Sequence, residues 1–156
     1  MPTTAVPETL SYHDGVLALI DQTRLPGQLV TLECRTIEQT HDAIRRLVVR
    51  GAPAIGIAAA YGVCLACDPD EGPTRQVYLD AIEYLATSRP TAVNLFWALD
   101  RMKAVVASTD SDNDLPAALE REAREIHEED REMCRSIGRH GATLLADSRR
   151  VLTHCN

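Results

Sequence analysis

The hydrophobic pattern of the chain starts with a period of two and changes to a helical period after about thirty-five residues. From Leu10 to Ile20, strand-forming residues flank an Asp14-Gly15 pair, the signal of a two-residue hairpin. Gln28 to Cys34, carrying Leu29, Val30 and Leu32 after a Pro26-Gly27 turn, reads as a further strand. Thr36 with Gln39 three residues on fits a capping box. Ile37, Ile44, Leu47 and Val48 then fall on one helical face, and Gly51 is expected to end that helix. A second helix is expected from about Pro53, built almost wholly of small residues. After the loop at 69–73, a third is expected to turn Val77, Ala81, Tyr84 and Leu85 inward. A fourth should begin at Pro90 or Thr91 and run through Asn94, Leu95, Phe96, Trp97, Leu99 and Met102.

The polar stretch 108–114 reads as a surface loop, and Asp114 with Pro116 as another helix start. Leu119, Ala123, Ile126, Met133, Ile137 and Leu144 then predict one long amphipathic helix, with Gly138 and Gly141 as candidate breaks. Asp147-Ser148 reads as a turn and Arg149 to Thr153 as a strand. The expected class is therefore α+β: a small N-terminal antiparallel sheet and a helical bundle over residues 1–148. Residues 149–156 would be the first strand of a Rossmann-like α/β domain. A lone strand with an unpaired edge is not a stable ending, so the chain reads as the truncated front of a longer protein.

Composition narrows the function. With 45% apolar and 25% charged residues, the 156-residue chain is ordinary globular material. Its net charge of −7 argues against nucleic acid, whose phosphates need a basic face. The longest apolar run, 52–66, is too short to span a bilayer, and the first eight residues lack the regions of a signal peptide. Five cysteines without an export signal read as reduced thiols of a cytoplasmic protein. Cys64 and Cys67 have no second pair at zinc-ribbon spacing and read as buried small hydrophobes rather than a metal or redox site. His127-Glu128-Glu129-Asp130 lacks the second histidine of a zinc helix and reads as a solvated face, while His13, His41 and His140 stand singly. No cofactor and no metal are called for.

Two segments share one physical design. Arg50 precedes a Gly51-Ala52-Pro53 turn that opens into a helix, and Arg89 precedes Pro90-Thr91 in the same way. Uncapped N–H groups and the macrodipole favour an anion at each helix start, and a guanidinium offers a fork of donors to phosphate oxygens. The first run is no nucleotide P-loop, since Ile57-Ala58 stand where Lys and Ser/Thr are required. It is no dinucleotide fingerprint either, because no βαβ strand precedes it. A third place is Thr153-His154-Cys155-Asn156, at the end of the expected strand, where Cys155 can be an active group or a buried thiol.

Together these residues resemble the S-methyl-5-thioribose-1-phosphate isomerase family. The resemblance is carried by the runs 48–56, 89–95 and 151–156, with smaller matches at 21–26, 32–36 and 126–130. It implies an aldose–ketose isomerisation, in methionine salvage, of a sugar phosphorylated on its anomeric oxygen. Arg50, Gly51, Ala52 and Arg89 would hold the substrate, and Cys155 would stabilise the transition state. The family's proton donor is an aspartate farther downstream than this sequence reaches, so the 156-residue chain alone is expected to lack useful activity. The full-length protein would be a homodimer. Two other readings are an isomerase of ribose 1,5-bisphosphate and a non-catalytic subunit of the translation-initiation exchange factor.

Overall fold

A computed structural model describes residues 7–68, 72–146, 148 and 150–152. Strands β1 (Leu10–His13), β2 (Val16–Ile20) and β3 (Thr31–Cys34) form an antiparallel sheet in the order β1-β2-β3. His13 pairs with Val16 across a turn whose two residues, Asp14 and Gly15, both have positive φ (49° and 71°). That is the turn whose twist matches a hairpin. The third strand starts at Thr31 rather than Gln28. Residues 28–30 lie in no regular element, although the Val30 carbonyl accepts from Asp21 N–H at 2.8 Å, next to the Ile20–Thr31 pair.

Among the described residues there are five α-helices, α1 (Ile37–Arg45), α2 (Ala52–Cys64), α3 (Arg75–Ala86), α4 (Val93–Ser108) and α5 (Leu115–Leu144), with one 3-10 turn at Asp112–Asp114 before the last. Thr36 and Gln39 form the expected capping box at the start of α1. That helix ends earlier than the pattern suggests. Leu47 takes a left-handed backbone (φ 64°), its N–H bonds the Ile44 carbonyl and that of Val48 bonds Ala43, the bond set of a Schellman close. Leu47 is thereby turned outward instead of joining Ile44, while Val48 and Val49 are buried past the close.

The centre of the molecule is α2. It is apolar on every side, and a helix of that kind must be surrounded. Every residue from Ile55 to Val63 is buried, against α1, α3, α4, α5 and the inner face of the sheet. Its glycines set the approach of two neighbours. A Cβ on Gly56 would lie 2.6 Å from the Asn94 carbonyl oxygen of α4, and one on Gly62 would lie 2.8 Å from Thr40 Cγ2 of α1. Close packing of α4 on α2 is thus possible only where α2 has no side chain.

The inward face of α3 is Tyr78, Ala81, Ile82 and Leu85; Tyr84 is outside, stacked on His41 at 4.4 Å, and Val77 is half-buried. Helix α4 starts at Val93, later than expected. The Ala92 N–H bonds the Arg89 carbonyl at 3.0 Å, so Pro90 and Thr91 occupy the corner of a turn rather than the first helical positions. Helix α5 is continuous over 30 residues, with no break at Gly138 or Gly141. It packs on α2 and α4 through Leu119, Ala123 and Ile126. Val151 and Leu152 lie in no regular element, and Arg149 and residues 153–156 of the expected strand lie outside the described residues.

Candidate functional site

The segments that begin at Arg50 and Arg89 are 39 residues apart in sequence and meet in space. Arg50, Gly51, Ala52 and Arg89 line one cleft of about 490 Å³, together with Leu47, Ile55, Thr91, Ala92, Val93 and Asn94. One feature brings the helix starts together and a second holds the Arg50 segment in place. The first is the Gly56–Asn94 approach, which sets the start of α4 beside the first turns of α2. The second is Gln22, in the loop after β2, whose backbone N–H bonds the Val48 carbonyl (3.0 Å) and whose side-chain amide donates to the Arg50 carbonyl (3.3 Å).

Both helices present uncapped N-termini to this cleft. Gly51 at the start of α2 and Ala92 at the start of α4 have no side chain to accept from the first turn. The N–H groups of Ala52, Ala54, Val93 and Asn94 are orphans of their helices by position. With two guanidinium groups at the same rim, the arrangement matches a doubly charged oxyanion group. Among the described residues lining the cleft there is no carboxyl, imidazole or thiol. The cleft as described can bind and orient, and it holds no group to move a proton. Cys155, the candidate transition-state residue, lies outside the described residues.

Gly51 takes φ 97° and ψ 130°, a conformation essentially closed to residues with a Cβ, although no atom would crowd one there. A Gly51→Ala substitution is therefore expected to cost about 1–3 kcal/mol through backbone strain alone. Urea denaturation would read this loss, and a stability equal to that of the parent chain would contradict it.

Sequence reasoning missed the positioning role of Gln22 and the rim residue Leu47. Neither has a local signature, because one acts across 28 residues and the other through a backbone angle. The pattern also misjudged His127. Its ring is half-buried, with Nδ1 3.2 Å from the Tyr61 hydroxyl and the ring edge-on to Tyr61, which in turn stacks on Tyr12 at 4.6 Å. Cys64 and Cys67 are half-buried against the core rather than buried; burial pushes the Cys64 thiol up to about 12, and its Sγ lies 3.5 Å from the Ala60 carbonyl.

Burial holds the His127 imidazole below its ordinary value of 6.5, against the opposing pull of Asp130 and Glu128 and with a smaller push from Arg124. The unfolded chain thus takes up this proton first as pH falls. Stability is full above about pH 6.5 and declines as pH drops from there through the folded value. The parent chain should accordingly lose more stability than His127→Gln between about pH 7.5 and pH 5.5. Equal losses in urea midpoints would contradict this.

The initiation factor 2 subunit family model matches residues 48–156. The chain is 59% identical over 161 residues to a methylthioribose-1-phosphate isomerase of Rhodopirellula baltica, covering 96% of this chain and 45% of that protein. It is 53% identical over 155 residues to a 5-deoxyribose 1-phosphate isomerase of Moorella thermoacetica, covering 94% and 44%. Among solved structures, it resembles the delta subunit of translation initiation factor eIF-2B from A. fulgidus. There the TM-score is 0.80 at 41% identity, covering 90% of this chain and 42% of that one. The chain spans less than half the length of these relatives. No helix among the described residues is long and apolar enough to cross a membrane.

Proposed function

The chain belongs to the initiation factor 2 subunit family, and from that premise we propose that it is the substrate-seating portion of an aldose–ketose isomerase acting on 5-methylthioribose 1-phosphate. The observation that carries this reading is the convergence of Arg50 and Arg89 with two uncapped helix starts in one cleft. The relatives named for sugar 1-phosphates support the substrate class, and both names specify a ribose without a second phosphate at C5.

A phosphate on the anomeric oxygen blocks ordinary ring opening, so the reaction needs an acid at the ring oxygen and a path for hydrogen from C2 to C1. Arg50, Arg89 and the Gly51 and Ala52 backbone fix the phosphate and orient the sugar. Cys155 stabilises charge as the transition state forms, and in a full-length form Cys155→Ser lowers kcat with KM little changed. Among the described residues lining the cleft there is no proton donor for the ring oxygen. General acid–base assistance is commonly worth about 10²–10⁴-fold, so the 156-residue chain binds the sugar phosphate without turning it over at a useful rate.

Calorimetric titration of the chain with 5-methylthioribose 1-phosphate, beside a product assay on the same sample, tests both halves. Saturable binding without turnover is expected, and no binding would overturn the reading. A second reading, a non-catalytic exchange-factor subunit, is favoured by the likeness to the eIF-2B delta subunit. Absence of sugar-phosphate binding would leave that one standing. Tighter binding of ribose 1,5-bisphosphate would instead assign the site to an isomerase of that sugar.

A further inference from the structure

Gly51 joins two peptide planes. The one after it belongs to α2, since the Gly51 carbonyl accepts from the Ile55 N–H at 3.1 Å. The one before it, between Arg50 and Gly51, lies outside the helix. Its only hydrogen bond among the described residues comes from the Gln22 side-chain amide, which donates to the Arg50 carbonyl at 3.3 Å. Glycine at φ 97° lets that plane turn over at little cost, so the helix alone does not fix it.

In a trans peptide the C=O and N–H point in opposite directions, and the Arg50–Gly51 bond is trans. Arg50, Gly51 and Ala52 line the cleft, whereas Gln22 does not. A carbonyl drawn towards Gln22 is therefore drawn away from the cleft, and the Gly51 N–H of the same plane is turned to the cleft side. No acceptor among the described residues takes that N–H. Successive free N–H groups of this kind suit an anion. With the plane reversed, a carbonyl oxygen would face the ligand instead, which is the wrong sign for a phosphate.

The backbone places Gln22 for this task. Its N–H donates to the Val48 carbonyl at 3.0 Å, and the N–H of Asp21 before it donates to Val30 at 2.8 Å. The Asp21 carboxylate closes the turn by accepting from the Thr23 N–H at 3.0 Å and the Thr23 hydroxyl at 2.6 Å. The side-chain amide thus starts from a fixed point, and its length has to match the distance to the Arg50 carbonyl.

We propose that Gln22 is a positioning residue for the phosphate seat, holding the Arg50–Gly51 peptide so that the Gly51 N–H, and not the Arg50 carbonyl, meets the ligand. This rests on the reading of the cleft as a sugar-phosphate seat and deepens it. The loop after β2, outside the cleft, sets how many donors the seat presents.

Gln22→Met removes the donor at nearly constant length, and Gln22→Asn keeps the amide but leaves it short of the carbonyl. Both retain the backbone bond to Val48, and their helical circular dichroism should match that of the parent chain. Titration with 5-methylthioribose 1-phosphate, followed by calorimetry and amide NMR, tests the proposal, with Arg89→Ala in the same series. Each Gln22 variant is expected to bind about 3- to 10-fold more weakly, the worth of one uncharged hydrogen bond. At saturation the ligand-induced shift of the Gly51 N–H should shrink, while those of Val93 and Asn94 keep their parent size. A merely structural loss would not single out Gly51. Unchanged affinity, or a saturated Gly51 shift equal to the parent's, overturns the role of Gln22 and leaves the seat standing if Arg89→Ala still weakens binding. A parent chain that does not bind, or an Arg89→Ala variant that binds as tightly as the parent, removes the seat and the role of Gln22 with it.

Discussion

Replacing Arg50 or Arg89 by alanine is expected to weaken binding of 5-methylthioribose 1-phosphate by about 10- to 150-fold each. A charge-assisted hydrogen bond to phosphate is worth about 1.5–3 kcal/mol, and among the described residues lining the cleft no other carries a positive side chain to take over. The two arginines come from different segments but face one ligand group, so their effects should not simply add. A double variant that loses less than the product of the two single losses would fit a shared phosphate. Lysine at either position should recover the charge but not the fork, and so only part of the affinity. Calorimetry on the parent, the three alanine variants and the two lysine variants reads this directly. Unchanged affinity in both single variants would remove the phosphate from this cleft.

The second large effect is expected at Gly56, which does no chemistry. A Cβ there would stand 2.6 Å from the Asn94 carbonyl oxygen and 3.3 Å from Ala98 Cβ, and both belong to α4. Neither backbone can yield cheaply inside a packed core. Gly56→Ala should therefore destabilise the chain by about 1–3 kcal/mol, with Gly56→Val worse. For a domain of this size that is a fall in Tm of roughly 2–12 °C. The same displacement moves Asn94 and Val93 away from Arg50, so ligand affinity should fall with stability. Gly138, on the exposed half of α5 with nothing within 4 Å of a Cβ, is the control. Alanine there should be neutral or stabilising by up to about 1 kcal/mol. Equal melting temperatures for Gly56→Ala and the parent chain would mean that the close approach does not govern packing.

How much of this was legible in the sequence follows from the range of each interaction. The Asp14-Gly15 turn and the Thr36–Gln39 box are local, and both were readable because their partners lie within four residues. The apolar face of α3 was misplaced by a fraction of a turn. Tyr84 fits the helical period as well as Tyr78 does, and only the neighbouring helices decide which is covered. The early end of α1 depends on Leu47 accepting a left-handed backbone, which propensity assigns to glycine and so pointed to Gly51 instead. His127 looked solvated because its sequence neighbours are acidic, but the Tyr61 hydroxyl that engages it comes from another helix.

For the site, an arginine before a helix start marked Arg50 and Arg89 as anion seats, and the family resemblance named Arg50, Gly51, Ala52 and Arg89 together as the residues that would hold substrate. Their meeting in one cleft was not readable from either segment, because it depends on Gly56 and Gln22, which are silent in any local pattern.

The central claim is that one phosphate sits between the starts of α2 and α4. The most direct measurement is a two-dimensional amide NMR titration of the 156-residue chain with 5-methylthioribose 1-phosphate. The largest shifts are predicted at the N–H groups of Gly51, Ala52, Ala54, Val93 and Asn94, saturating together at one dissociation constant. Shifts concentrated elsewhere, or in only one of the two segments, would contradict the account.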